Sequence, residues 1–127
     1  MRIEHIAINV PEVEKHAQWY VNHLGMTIVR QLEEMNIHFM TDESSHVVME
    51  LYTNPEVTMP DYASMEAEVF HIAFSADDIE AERDRLVSAG AESLTDIRTT
   101  PAGDRLTFLR DPWGVCLQLA QRSKPLI

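Results

Sequence analysis

Two histidines occur in nearly repeated peptides of this 127-residue chain. The tripeptide His-Ile-Ala begins at His5 and again at His71, 66 positions later. Two other polar residues interrupt apolar runs at almost the same offset, because Glu50 in "VVMELY" and Gln118 in "GVCLQL" lie 68 positions apart. Two imidazoles and a carboxylate suit Zn²⁺, Fe²⁺, Ni²⁺, Mn²⁺ or Co²⁺, and an amide oxygen can be a fourth, weaker ligand. The four residues therefore predict a divalent-metal site built from two copies of one motif.

Each of the two histidines stands in a strand-like alternation beside a small residue. His5 shares a strand face with Ala7, and His71 shares one with Ala73, which leaves room around both imidazoles. The alternative is that both histidines are buried for structural reasons and satisfied by hydrogen bonds. The shared offset, together with the cost of burying an unpartnered carboxylate or amide in an apolar strand, favours the metal site.

Other side chains with chemical potential show weaker patterns. His46 falls on the same strand face as Glu50 and is a candidate to replace a ligand, whereas His38 falls on the neighbouring strand and is expected to line the same site. His16 is expected to be exposed on its helix, and Cys116, the single cysteine, to be a small buried filler that forms no internal disulfide. Three arginines are expected either to bind a substrate anion or to pair with surface carboxylates: Arg98, Arg105 and Arg110.

The elements that position these residues occur twice in the same order. Apolar periodicity predicts a strand, a helix and three strands in each copy, with a turn at "RDPWG" before the last strand. Gly25 and Gly90 are expected to end the two helices, and Asp77 or Asp78 to cap the second one. The predicted strands are 2–10, 26–32, 36–41, 46–53, 69–75, 92–98, 104–110 and 114–120, and the predicted helices are 12–24 and 78–89.

This order predicts an α+β fold in which residues 1–127 form a single domain. Module one spans 1–53, a proline-containing linker spans 54–68, and module two spans 69–122. Two tandem βαβββ modules are expected to form a curved mixed sheet with a concave open site and with the helices on the outer face. A concave surface of that kind is a natural site for a small-molecule ligand.

The composition argues against several classes of partner. A net charge of −11 disfavours nucleic acid and anionic membranes, which attract basic surfaces. No apolar run reaches the length of a transmembrane helix, and the charged first strand does not match a signal peptide. The prediction is a cytoplasmic protein with a small-molecule partner.

Three stretches carry a resemblance to a known family: the His-Ile-Ala strands, "WYVNHLGM" and "FLRDPWGVCLQL". They resemble the vicinal oxygen chelate superfamily, which includes glyoxalase I, methylmalonyl-CoA epimerase, extradiol dioxygenases, and the fosfomycin and bleomycin resistance proteins. The resemblance covers nearly the whole chain. It implies that His5, Glu50, His71 and Gln118 occupy the metal-ligand positions, and that the chain forms a homodimer.

The amide at position 118 departs from the pattern of that family. The resemblance implies a glutamate there, which binds metal in the glyoxalase and epimerase branches and can act as the base in glyoxalase. Gln118 cannot abstract a proton at neutral pH. Glu50, its partner in the repeat, is therefore the expected catalytic residue and proton shuttle.

Three functions are consistent with these residues. The first is a glyoxalase-like, divalent-metal-dependent lyase or isomerase that acts on a small substrate chelated through adjacent oxygens. The second is an Fe(II)-dependent dioxygenase that uses the triad His5, Glu50 and His71. The third is a metal-free ligand-binding protein of the bleomycin-resistance type, which the retained triad disfavours and Gln118 favours. We rank the lyase or isomerase first.

Overall fold

The computed structural model describes residues 1–126, and the chain divides between Pro60 and Asp61 into two compact units. In the described residues, the strands form two sheets, one in each unit, and each sheet is accompanied by one α-helix. The α+β class and the tandem repeat are therefore confirmed: the first unit has the order βαβββ, and the second has the same order with one of its strands divided in two. None of the described helices has the length and apolar composition needed to cross a membrane.

The first unit contains a four-stranded sheet with the strand order β1-β4-β3-β2. β1 runs parallel to β4, and the other neighbouring strands are antiparallel. Its elements are β1 (Ile6–Asn9), α1 (Val13–Leu24), β2 (Thr27–Leu32), a 3₁₀ helix (Glu33–Met35), β3 (Ile37–Thr41) and β4 (Val48–Tyr52).

One face of this sheet packs against α1. Met40 and Leu51 on the sheet and Tyr20 on the helix are all fully buried. The helix ends at Gly25, whose left-handed φ of 66° and N–H bond to the Tyr20 carbonyl confirm the predicted stop. The prediction that His16 is exposed was wrong: it is fully buried, and its ring lies edge-on to Tyr20 with 4.8 Å between centroids. The buried face of α1 is wider than its aliphatic positions indicated, because aromatic residues extend it.

The second unit repeats this arrangement, with the strand order β5-β9-β8-β6 and with β7 also paired to β8. β5 runs parallel to β9, as β1 does to β4. Its elements are a 3₁₀ helix (Tyr62–Ser64), β5 (Ile72–Ser75), α2 (Ile79–Ser88), β6 (Glu92–Ser93), β7 (Arg98–Thr99), β8 (Arg105–Arg110) and β9 (Cys116–Gln121).

Local side-chain bonds set the boundaries of several elements in the second unit. The Asp78 carboxylate accepts a 3.0 Å bond from the Ala81 N–H and caps α2, as predicted. The single strand predicted over 92–98 was wrong, since β6 and β7 are separate two-residue strands. Between them, the Thr95 hydroxyl bonds the Phe108 N–H at 3.0 Å, so a side chain replaces a backbone carbonyl and interrupts the ladder.

The segment predicted as a linker is partly structured. Its second half contains the 3₁₀ helix Tyr62–Ser64. Asp61 caps this helix, because its carboxylate accepts a 3.3 Å bond from the Ser64 N–H. The second compact unit begins at Asp61, so this half of the segment belongs to it.

Candidate functional site

The first unit brings His5 and Glu50 into direct contact. His5 precedes β1 and Glu50 lies in β4, and their Nε2 and Oε2 atoms are 3.0 Å apart. In the strand register, Glu50 stands opposite Ala7 on one side and Phe39 on the other. The small side chain of Ala7 leaves room for the imidazole, and the His5 ring lies edge-on to Phe39 at a centroid distance of 5.9 Å.

The His5 imidazole lies between two carboxylates. Its Nδ1 contacts the Glu4 side chain, and its Nε2 contacts Glu50. The hydrogen bond with Glu4 raises the pKa of His5 above its ordinary value, against a smaller lowering by burial, and the negative charges of Glu4 and Glu50 add to the rise. Glu50 is the more enclosed partner, with 15% of its side chain exposed against 36% for His5. The two carboxylates therefore favour a proton on the imidazole, and a metal ion bound at Nε2 would have to displace it.

The second unit places His71 and Gln118 in equivalent positions. Gln118 lies in β9 with 8% exposure, opposite Ala73 in the parallel register and Phe108 in the antiparallel one. The His71 ring lies edge-on to Phe108, with 5.2 Å between centroids. His71 Nδ1 is 2.8 Å from the Ala67 carbonyl oxygen. Because a carbonyl only accepts, this contact assigns the proton to Nδ1 and leaves the Nε2 lone pair available.

The pair of His5 and Glu50 and the pair of His71 and Gln118 have equivalent neighbours in their sheets. Each histidine precedes the first strand of its unit, and each polar partner stands between an alanine and a phenylalanine on the flanking strands. Sequence reasoning missed Phe39 and Phe108, although their spacing of 69 positions is close to the offset of the other pairs. Aromatic residues in strands are usually core residues, so that spacing alone gave no reason to select them.

Each unit supplies two of the four predicted ligands. Within neither unit do the described residues bring three or more histidine, cysteine, aspartate or glutamate side chains together in a metal-binding arrangement. The donor types nevertheless fit a divalent transition metal, because the imidazole and carboxylate of the first unit converge and the imidazole of the second has its Nε2 available.

His38 lies on the opposite side of the first sheet from Glu50. In the register of β3 and β4, Phe39 pairs with Glu50, whereas His38 pairs with the fully buried Leu51 on the helix side. There it contacts Gln31, with 2.7 Å between their Nε2 atoms, and borders a cavity of about 530 Å³. The expectation that His38 lines the same site as Glu50 was wrong, because the sequence does not give the register of neighbouring strands.

The remaining candidates have mainly structural contacts. His46 is exposed in the turn before β4, where its N–H bonds the Ser44 hydroxyl at 3.2 Å. Cys116 is buried as expected, and its burial raises the pKa of the thiol. Two of the three arginines are engaged within the second unit, because Arg105 pairs with the Glu80 carboxylate and Arg110 bonds backbone carbonyls, whereas Arg98 is exposed in β7.

The chain is similar to known proteins over nearly its whole length. The sequence model of the Glyoxalase/Bleomycin resistance protein/Dioxygenase superfamily matches residues 2–119. A protein of Vibrio cholerae named "Probable lactoylglutathione lyase" is 29% identical over 130 residues, which cover 97% of this chain and 92% of that protein. YwkD, an uncharacterised protein of Bacillus subtilis, is 30% identical over 128 residues, which cover 94% of this chain and 96% of that protein.

Solved structures show the same fold at lower sequence identity. A glyoxalase family protein from Bacillus cereus superposes with a TM-score of 0.78 at 19% identity, covering 95% of this chain and 93% of that one. TnmS3, an antibiotic binding protein from Streptomyces, superposes with a TM-score of 0.71 at 21% identity, covering 97% of this chain and 99% of that one. From the match over residues 2–119, the chain belongs to the Glyoxalase/Bleomycin resistance protein/Dioxygenase superfamily.

Proposed function

We propose that this chain is a glyoxalase-type lyase or isomerase that depends on a divalent metal held by His5, Glu50, His71 and Gln118. The contact between His5 Nε2 and Glu50 Oε2 at 3.0 Å carries the proposal, because it places an imidazole and a carboxylate side by side, as two ligands of one ion would be. The matching neighbours of His71 and Gln118 support a second contribution of the same kind. The complete ligand set takes one pair of each kind, either from one chain or from two copies in a homodimer.

The side chains of the two pairs have different roles in this proposal. A divalent metal supplies Lewis-acid polarisation of two adjacent oxygens of a small substrate. Glu50 accepts the substrate proton and returns it, because it is the one carboxylate of the four and is largely enclosed. Gln118 orients through its amide and transfers no proton. Phe39 and Phe108 limit the access of water beside the two imidazoles.

The names of the relatives favour the lyase. Two Vibrio proteins that share 29% and 28% identity with this chain are both named "Probable lactoylglutathione lyase", and each alignment covers 97% of the chain. We therefore propose S-lactoylglutathione, or the thiol adduct of an α-oxoaldehyde from which it forms, as the first substrate to test. Both provide adjacent oxygens for chelation.

The second candidate function is a metal-free ligand-binding protein. Gln118 favours it, because an uncharged amide binds a divalent metal more weakly than a carboxylate does. The fold is also compatible with such a role, since TnmS3 is described as an antibiotic binding protein. The retained His5–Glu50 pair favours the lyase over this candidate.

Elemental analysis of protein purified without chelator tests the proposal, with an H5A/H71A double variant alongside. We expect about one divalent metal per chain in the wild type, little in the double variant, and cleavage or formation of S-lactoylglutathione that follows the metal. Metal loading without this activity but with oxygen consumption on a catechol would indicate the dioxygenase. If no metal is retained even after each ion is added back, the proposed lyase is excluded and the binding protein is favoured.

A further inference from the structure

The guanidinium of Arg110 is bonded to the segment that precedes His71. Arg110 ends β8, and its Nη1 donates to the carbonyl oxygens of Tyr62 at 2.7 Å and Gly114 at 3.0 Å, while its Nη2 donates to that of Met65 at 2.6 Å. A planar guanidinium has enough donors in a fixed geometry to hold three carbonyls at once, whereas an ammonium is a single point. Tyr62 is the first residue of the 3₁₀ helix Tyr62–Ser64 and Met65 follows its last residue, so Arg110 holds both ends of it.

The turn beside Arg110 is shaped to receive that 3₁₀ helix. Gly114 has a φ of +90°, and a Cβ built on it would lie 2.9 Å from the Ala63 nitrogen. The Asp111 carboxylate accepts bonds of 2.9 Å from the N–H groups of Trp113 and Val115, which fixes the turn. The close approach and the guanidinium bonds therefore restrain the same short segment.

The segment continues directly into the acceptor of the His71 proton. After Met65, the Val69 N–H bonds the Glu66 carbonyl at 3.0 Å and closes a turn. Ala67 lies inside this turn, and its carbonyl accepts the 2.8 Å bond from His71 Nδ1. A neutral histidine that lacks such an acceptor can carry its proton on either ring nitrogen.

We propose that Arg110 is a positioning residue for His71. By holding the carbonyls of Tyr62 and Met65, it places the Ala67 carbonyl, which keeps the His71 proton on Nδ1 and the lone pair on Nε2. Partners of this kind commonly fix the tautomer and orientation of metal-binding histidines. The importance of the free Nε2 rests on the proposed metal site, whereas the tautomer is a property of the metal-free chain and is measured without metal.

Nitrogen-15 NMR of the imidazoles in metal-free protein tests this proposal. Long-range ¹H–¹⁵N spectra, recorded at a pH where the histidines are neutral, distinguish the two tautomers, and an H71Q variant assigns the signals of His71. We expect wild-type His71 to be the Nδ1–H tautomer. R110M should give a mixture or the Nε2–H tautomer, because the Ala67 carbonyl is no longer held in place.

R105M is the matched control, because it removes a guanidinium of the same strand that pairs with Glu80 and does not touch residues 61–67. We expect R105M to keep the wild-type signals of His71. R110K keeps the charge and most of the stem but cannot bridge several carbonyls, so we expect it to lose part of the Nδ1–H population, and it decides the question if R110M does not fold. Complete retention of the Nδ1–H tautomer in folded R110M, or in R110K if R110M is unfolded, would overturn the proposal.

Metal titration of the same variants separates this proposal from the proposed function. We expect Ni²⁺ or Zn²⁺ affinity to fall about 10- to 100-fold in R110M, as is typical when an outer-shell partner is lost, and to be unchanged in R105M. A wild type that binds no metal but whose His71 tautomer depends on Arg110 would contradict the function and support the positioning role. A wild type that binds metal, but whose His71 tautomer does not depend on Arg110, would support the function and contradict the positioning role.

Discussion

The first and second units hold the same two-residue motif in the same strand frame, but with different charges. In the first unit His5 faces the carboxylate of Glu50, and in the second His71 is accompanied by the amide of Gln118. The backbone register and the flanking alanine and phenylalanine are retained in both. The repeat therefore preserves the positions of the donors, while the capacity to carry charge and move a proton is concentrated in the first unit.

The second ring nitrogen of each histidine shows a further difference. His5 Nδ1 contacts the exposed side chain of Glu4, whereas His71 Nδ1 bonds the backbone carbonyl of Ala67. A carboxylate raises the pKa of an imidazole and favours its charged form, and an anchored carbonyl instead selects a tautomer. The neighbours of His5 thus act mainly on its charge, whereas the neighbour of His71 acts on its tautomer and orientation.

The residues two positions after Phe39 and Phe108 also differ in the bonds they make. In the second unit, Arg110, two positions after Phe108, donates to three carbonyls. In the first unit, Thr41, two positions after Phe39, donates one hydroxyl bond to the Val47 carbonyl at 2.9 Å. Three charge-assisted bonds restrain a segment more strongly than one neutral bond does. We therefore expect substitutions in the second unit to alter mainly the position of His71, and substitutions in the first unit to alter mainly the charge beside His5.

The largest effect is expected from E50Q, which makes the first pair as uncharged as the second. Removing the proposed proton shuttle should lower kcat by about 10²- to 10⁴-fold, as is typical for general bases, with circular dichroism and melting behaviour close to those of the wild type. E4Q is the matched control, because it neutralises the other, exposed carboxylate beside His5 and should cost far less activity. Full activity in E50Q would refute the role of Glu50.

The next effect concerns stability and tests the rigid frame of the second unit. G114A should lower the free energy of unfolding by about 1–3 kcal/mol or more, because an alanine at that positive φ is strained and its Cβ would also meet the Ala63 backbone. G103A is the matched control: Gly103 has a φ of +87°, but the nearest atom to its Cβ is a Ser123 side-chain atom at 3.5 Å. Urea unfolding should show the larger loss for G114A, and equal losses would show that the close contact contributes nothing.

Q118E should reduce the difference between the two pairs. A second carboxylate adds a negative charge beside the proposed metal, and we expect the affinity for Ni²⁺ or Zn²⁺ to rise about tenfold or more, because a charge at contact distance is worth over 1 kcal/mol even in a surface-like dielectric. Isothermal titration calorimetry measures the change, with Q121E in the same strand as the control. Unchanged affinity in Q118E would remove Gln118 from the ligand set.

The smallest effect is an acid dependence that originates in the second unit. The hydrogen bond from Arg105 holds the pKa of Glu80 below its ordinary value of 4.5. Because the folded pKa is depressed, the pair stabilises the fold above pH 4.5, and this contribution is lost as the pH falls through the lower folded pKa. In E80Q, the decline of Tm on acidification below pH 4.5 should be shallower than in the wild type. An identical decline in both proteins would show that the pair makes no net contribution.

The repeated order of elements was predictable because apolar periodicity and the residues that cap helices and form turns are local features of the sequence. Gly25 was identified as a helix end and either Asp77 or Asp78 as a helix cap, and the structure confirms Gly25 and selects Asp78. The split between β6 and β7 was not predictable, since it depends on a Thr95 hydroxyl that bonds a residue 13 positions away. His38 was assigned to the wrong face because alternation gives the faces of one strand but not their match to the next strand.

The candidate site shows the same limit. His5 and Glu50 were selected from the sequence because each has a counterpart in the second half of the chain, 66 and 68 positions later. The structure places these two side chains in contact. The Arg110 bonds to Tyr62 and Met65 were not predictable, because they join residues 48 and 45 positions apart through backbone carbonyls that carry no sequence signature. The orientation of His71 is therefore visible only in the folded chain.

The proposed function requires that the two unlike pairs contribute to one metal site. Calorimetric titration of Ni²⁺ and Zn²⁺ into metal-free wild type, H5A and H71A tests it most directly, since each single variant disables one unit and leaves the other intact. We expect about one ion per chain in the wild type and a large loss of affinity in both single variants. Undiminished binding in H71A would show that the first unit binds the ion without the second, and would contradict a shared metal site.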